Sequence, residues 1–231
     1  MIDIGHPAHV HFFKNFIYKM ESRGHEILVT ARDKDVVVSL LKAYGIKHTI
    51  FGRQGKGKLS LIREWAGRDW NIYLTARKYH PDVMVGINNP CTAHVAKLTG
   101  TRSVIFNDTE HAGISNSITN PFASIICTPA CFLKNLGKKQ VRYNGYHELA
   151  YLHPNYFNPD ASVLDEIQVN ENEKFFIVRF VSWGASHDNG QRGFDIPGKR
   201  RLVAELEKYG RVLITSESPL PEEFAKYRIT V

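Results

Sequence analysis

The residues best able to do chemistry in this chain stand, group after group, just beyond short apolar runs. His6 and His9 follow Ile2-Asp3-Ile4, Arg32 follows Glu26 to Ala31, Asn88 and Asn89 follow Asp82 to Ile87, and Asp108, Glu110 and His111 follow Ser103 to Asn107. In the second half, Ser182, Trp183, Ser186, His187 and Asp188 follow Lys174 to Arg179. The set suits sugar and phosphate. Carboxylates and amides exchange hydrogen bonds with hydroxyls, a histidine near its ordinary pKa takes a proton from an attacking hydroxyl, and a helix start holds phosphate on its unpaired N–H groups. Small residues in Ser182-Trp183-Gly184-Ala185-Ser186 would let backbone approach a pyrophosphate. Two of these groups carry a plainer reading too: His6 as a structural turn residue, and Glu110 with His111 as part of a turn capped by Asp108 or Thr109.

Competing chemistries are weaker. His6, His9 and His11 invite a metal, but side chains two apart on a helix diverge, and no matched set of His and Asp completes a site, so no metal is expected. Cys91, Cys127 and Cys131 are an odd number without a second pair, and read as plain buried thiols. Gly52-Arg53-Gln54-Gly55-Lys56-Gly57-Lys58-Leu59 stands between a strand and a helix as a phosphate-binding loop would. Leu59, however, occupies the place of the magnesium-binding hydroxyl, and a basic surface loop is the better reading.

The elements that must position these groups follow from periodicity. Val10, Phe12, Phe13, Phe16, Ile17 and Met20 mark one helical face directly after the first strand, and the alternation of strand and helix continues to Cys127. Consecutive βαβ units give a parallel sheet, whose ligands sit outside the carboxyl ends of the strands. The composition breaks near Tyr151 to Glu173, where prolines and asparagines interrupt any pattern, so a first domain is expected over 1–160 and a second over 161–231. The latter opens as another βαβ unit but is short for a complete domain, since domains commonly run to about 100–150 residues.

With 43% hydrophobic and 23% charged residues the chain is an ordinary folded one. No apolar run approaches the roughly 20 residues of a membrane span and no signal peptide opens the sequence, which makes the cytosol the expected location. A net charge of +7 asks for an anionic partner. Nucleic acid is not expected, because the basic residues are scattered and no recognition motif is present. Arg53, Lys56, Lys58 and Arg63 would suit peripheral contact with an anionic membrane at its inner face.

Four stretches together resemble a known family. They are Ile2 to Phe13, Arg23-Gly24-His25-Glu26, Asn144-Gly145-Tyr146-His147-Glu148-Leu149-Ala150-Tyr151-Leu152, and Arg179-Phe180 with Ser182-Trp183 and His187-Asp188. The family is the domain-of-unknown-function group 354 (DUF354), found largely in archaea, and it looks like the GT-B superfamily of nucleotide-sugar glycosyltransferases and UDP-N-acetylglucosamine 2-epimerases. The resemblance implies an α/β, GT-B-like fold: a Rossmann-like parallel sheet in the N-terminal domain and the beginning of a second Rossmann-like domain. It implies glycosyl transfer from a nucleoside diphosphate sugar, a UDP-sugar foremost, to a hydroxyl or lipid-linked acceptor, with no cofactor.

By that analogy His6, Glu110 and His111 would be catalytic on the acceptor side, with His6 as base, and His9, Arg32, Asn88, Asn89 and Asp108 would bind substrate. Arg179, Ser182, Trp183, Ser186 and His187 would meet the donor phosphates. A nucleotide-sugar 2-epimerase and a non-catalytic sugar-binding module are the alternatives. The donor half of such enzymes runs further, and family members begin a few residues earlier, so a shortened gene product is expected.

Overall fold

The computed structural model describes residues 1–53, 58–181 and 193–229, with side chains at 53 and 58–65 left aside. Two compact units divide the chain, Met1–Phe157 and Asn158–Val231. The first is built on seven parallel strands, β1 (Ile2–Ile4), β2 (Val29–Asp33), β3 (Thr49–Arg53), β4 (Val83–Ile87), β5 (Arg102–Phe106), β6 (Ile125–Pro129) and β7 (Gln140–Tyr143). Their order across the sheet is β3-β2-β1-β4-β5-β6-β7. Strand order reverses between β1 and β4, so helices after β1 and after β4 cover opposite faces, and a crevice opens at their carboxyl ends.

Local sequence explains the helices at that crevice. Helix α1 (Pro7–Glu21) begins with Pro7 in its first turn and His6 as N-cap, the ring accepting from the Ala8 N–H. Its buried residues Val10, Phe13 and Ile17 are spaced three and four apart and pack on Ile2, Ile4, Val29 and Ala31, with Val37 and Leu41 of helix α2 (Val37–Ala43) completing that core. Helix α3 (Lys58–Tyr79) and helix α4 (Pro90–Thr99) cover the other face, where Ile72, Ala76, Met84, Val95 and Ala96 cluster. Asn89 caps α4 by accepting from the Thr92 N–H at 3.2 Å, and Gly100 ends it at φ +73°. Helix α5 (Gly113–Thr119) follows β5, and the short helix α6 (Leu149–Leu152) follows β7.

Because Ile2 and Ile4 face α1, Asp3 between them must face α3 and α4. There its buried carboxylate accepts from Arg68 Nη2 at 2.7 Å, Asn89 Nδ2 at 2.6 Å and Thr30 Oγ1 at 2.7 Å. One side chain thus ties β1 and β2 to α3 and to the start of α4.

The second unit contains helix α7 (Val163–Glu166), strands β8 (Phe175–Phe180) and β9 (Arg211–Ser216), paired in parallel, and helix α8 (Ile196–Leu206). Phe180, Val203, Val212, Ile214 and Phe224 form its core. Asp195 caps α8, accepting from the Gly198 N–H at 2.7 Å. Among the described residues no helix is long and apolar enough to cross a membrane.

Candidate functional site

Beyond the carboxyl ends of β1 and β5 the first unit gathers titratable side chains. His6 and His9 lie with ring centroids 5.9 Å apart. Asp108, two residues past β5, meets His147, which lies in the turn between β7 and α6, with Oδ2 3.0 Å from Nδ1. His9 senses all of these. Burial first, then the neighbouring His6 and His147, push its pKa down to about 3, against the opposing pull of Asp108. Its Nδ1 accepts from the Gly5 N–H at 3.3 Å, which closes the turn into α1.

Asp108 is held below the usual carboxylate range, chiefly by the hydrogen bond from His147 and further by the Thr109 hydroxyl. His147 is buried and sits in an aromatic setting: Phe12 at 4.7 Å, Phe106 at 6.3 Å, and Tyr143 stacked within 7° of parallel. Neither His147 Nε2 nor the Tyr143 hydroxyl, both buried, has a hydrogen-bond partner among the described residues. Burial raises the Tyr143 pKa.

The other expected site residues are placed as follows. Glu110 accepts from the Leu133 N–H at 2.6 Å, and Lys134 Nζ donates to its carbonyl at 2.8 Å, so it fastens the loop after β6. His111 is exposed beside it, and Arg32 is half-buried within β2. Asn88 adopts φ +39°, and its side-chain oxygen accepts from Ser115 Oγ at 3.0 Å. Asn89 is buried, with its oxygen capping α4 and its nitrogen on Asp3. In the second unit, Arg179 pairs with Glu217 at 2.7 Å on an exposed surface. Ser182, Trp183, Ser186, His187 and Asp188 lie outside the described residues, as does Lys56. The cysteines are free, yet only Cys91 is buried; Cys127 is half-buried and Cys131, expected inside, is exposed because its turn follows the end of β6.

Sequence reasoning gave no role to His147 or Tyr143. The alternation Val141, Tyr143 followed by Asn144-Gly145 was the available signal for a strand and turn that present them.

A groove of about 1050 Å³ runs beside α1 and across β4 and β5, lined by Phe12, Phe16, Met20, Val85, Val104 and Phe106. Met1, Pro81 and Val83 line it at the amino ends of the strands, while Phe12 and Phe106 are the rings that also pack against His147. Among the described residues no three His, Cys, Asp or Glu side chains are grouped to hold a metal ion.

Titration of His9 gives a stability prediction. A depressed histidine pKa means the unfolded chain binds the proton first, so stability is full above about 6.5, the unfolded value, and falls as pH drops toward 3. Between pH 7 and 5 the first unit should lose about 1–2 kcal/mol, allowing for partial exposure of the ring. His9→Asn, which retains an acceptor near the Nδ1 position, should flatten this slope in urea unfolding measured at each pH; an unchanged slope would assign the effect elsewhere.

Residues 1–223 match the family described as "Protein of unknown function (DUF354)". A curated relative, an uncharacterised protein of Methanocaldococcus jannaschii, is 24% identical over 215 residues, covering 90% of this chain and 62% of the relative. The chain thus spans under two thirds of that relative's length. Among solved structures, the UDP-GlcNAc 2-epimerase of Methanocaldococcus jannaschii superposes with a TM-score of 0.66 at 14% identity, covering 98% of this chain and 67% of that one. The glycosyltransferase SsfS6 of Streptomyces sp. SF2575, complexed with thymidine diphosphate, gives 0.54 at 13% identity, over 94% and 67% of the two chains. At such low identities the superpositions show the fold alone, which is GT-B-like.

Proposed function

The chain belongs to the DUF354 family, and we propose that it serves nucleotide-sugar chemistry, moving a glycosyl group from a nucleoside diphosphate donor to a hydroxyl acceptor. The observation that carries this reading is the gathering of His6, His9, Asp108 and His147 beyond the carboxyl ends of the strands, at the crevice where a parallel sheet of this order receives ligands. His6, Glu110 and His111 are assigned to the acceptor side, with Arg32, Asn88 and the exposed edge of Asp108 as hydrogen-bonding groups. Arg179 and the segment from Ser182 to His187 are assigned to the donor phosphates. A UDP-sugar is the donor that the family resemblance favours.

Thermal-shift and calorimetric titration with UDP, thymidine diphosphate and UDP-N-acetylglucosamine test the reading. A ligand bound by the folded chain alone stabilises it by about 2.7 kcal/mol at a hundredfold excess over Kd, with a saturable dose dependence. Chromatography of the products then separates transfer, which frees the nucleotide, from 2-epimerisation, which retains it. If no nucleotide stabilises the chain, the reading falls and a sugar-binding module takes its place.

A further inference from the structure

We propose that the open half of the seven-stranded sheet is a docking face for a second copy of this chain, and that two copies pair through it about a two-fold axis. The strands themselves ask for a cover. Val83-Met84-Val85-Gly86-Ile87, Val104-Ile105-Phe106 and Ile125-Ile126-Cys127 are near-continuous apolar runs, the composition of parallel strands buried on both faces. Met84 packs with Ile72 and Val95, and Ile105 and Ile126 pack with Ala93, so these residues face α3 and α4.

Val83, Val85, Val104, Phe106, Ile125 and, in register with Cys127, Val141 therefore turn to the other side. There α1 and α2 lie over β1 and β2, and only the α1 flank at Phe12 and Phe16 reaches further. The groove of about 1050 Å³ beside that flank has the open strands as its floor. Val83 is 38% exposed, Ile125 37%, Val141 51% and Phe16 43%. Large apolar side chains left open side by side on one face mark an association site.

The charges at the groove select its occupant. The ends of α1 and α3 and the starts of the strands share one level, and there Lys19, Lys78, Glu26 and Asp82 line the groove, all exposed. None of the four forms an ion pair among the described residues, although Asp82 draws on the Met1 amino group. In a chain of net charge +7 this rim is balanced, two of each sign. An anionic lipid would meet no excess of positive charge there. A two-fold interface sets one patch against itself, so the patch must carry both members of every pair, and this one does. With the axis parallel to the strands, the two rims stay level and the basic groups of one copy face the acidic groups of its partner. The same axis lays the Phe16 flank of each α1 over the open strands of the other copy, which supplies the helix layer that a parallel sheet needs.

Sedimentation of the whole chain over about a hundredfold range of concentration, up to about 100 µM, reads the association directly. The expected species is a dimer of twice the 26.3 kDa chain, with Kd of about 1 µM or below. Phe16→Glu and Ile125→Glu, both at exposed positions, should each weaken it at least about tenfold by burying an unpaired charge. Lys19→Glu with Lys78→Glu makes the rim wholly acidic and should weaken it to a similar degree, about tenfold or more. Adding Glu26→Lys and Asp82→Lys to that chain restores the balance and should restore the dimer, a recovery that no folding defect would allow. Circular dichroism checks that each variant is folded. A parent chain that stays monomeric across the range overturns the proposal, and so does a mass that keeps rising with concentration, the mark of a contact that does not close. A dimer indifferent to Phe16→Glu and Ile125→Glu places the contact on another face, and a charge reversal without recovery in the fourfold variant removes the self-complementary rim; either result overturns it too. A monomer whose groove takes up palmitate gives the site to an amphiphile instead.

Discussion

Arg68→Met should lower the unfolding free energy of the first unit by about 3–5 kcal/mol, the usual result of removing one partner from a buried ion pair. Asp3 and Arg68 are 1% and 6% exposed, so neither charge has water to fall back on. Methionine keeps the stem of the arginine side chain but leaves the carboxylate with only the Thr30 hydroxyl and the Asn89 amide. Two neutral donors do not offset a desolvated charge. Asp3→Asn introduced into the Arg68→Met chain removes that charge and should recover about half of the deficit, a positive coupling that a double-mutant cycle in urea measures. Additive losses would mean that the two side chains act independently, and the account of Asp3 as the tie between β1, α3 and α4 would be wrong.

That same carboxylate shows where sequence reading stops. The βαβ alternation, the strand-turn-helix at Ile2 to Val10 and the cap at Asn89 are local patterns, and each appears in the structure. Asn89 was expected to bind substrate, yet its amide turns inward onto a residue 86 positions earlier, which no local pattern encodes. Strand ends shifted for a related reason. β2 was expected over Glu26 to Ala31 and runs Val29–Asp33, because β1 stands opposite only from Val29, which pairs with Ile2, while backbone pairing of Asp33 with Arg53 in β3 carries the strand two residues further. β7 was not expected at all. Its four residues lie on the sheet edge, Val141 and Tyr143 alternating with Gln140 and Arg142, and so short a run stands out only through the Asn144-Gly145 turn that follows it. Missing that strand meant missing the turn after it, and so His147. His6, His9 and Asp108 could be named because each directly follows a legible strand, while the partner of Asp108 could not.

Phe13→Ala should be the other costly substitution, about 3–5 kcal/mol, because the cavity left by a buried phenyl ring collapses only in part. Phe13 is 2% exposed, in the middle of the α1 face that packs on Ile2, Ile4 and Ala31. Its ring also abuts Phe12 at 4.9 Å and Phe106 at 6.2 Å, edge to face, and those two rings are the ones packed against His147. The loss therefore has a local consequence beyond stability: with Phe13 gone, Phe12 and Phe106 can relax into the void, and the plane of the imidazole loses its support. Phe13→Leu, which restores most of the volume, should cost about 1–2 kcal/mol and leave the ring in place. Urea unfolding gives the two energies, and the nitrogen-15 signal of His147 Nδ1 reports the geometry. A histidine signal unmoved in Phe13→Ala, beside the full loss of stability, would separate the core from the His147–Asp108 pair; a signal broadened or shifted only in the alanine chain would show that α1 packing sets the orientation of His147.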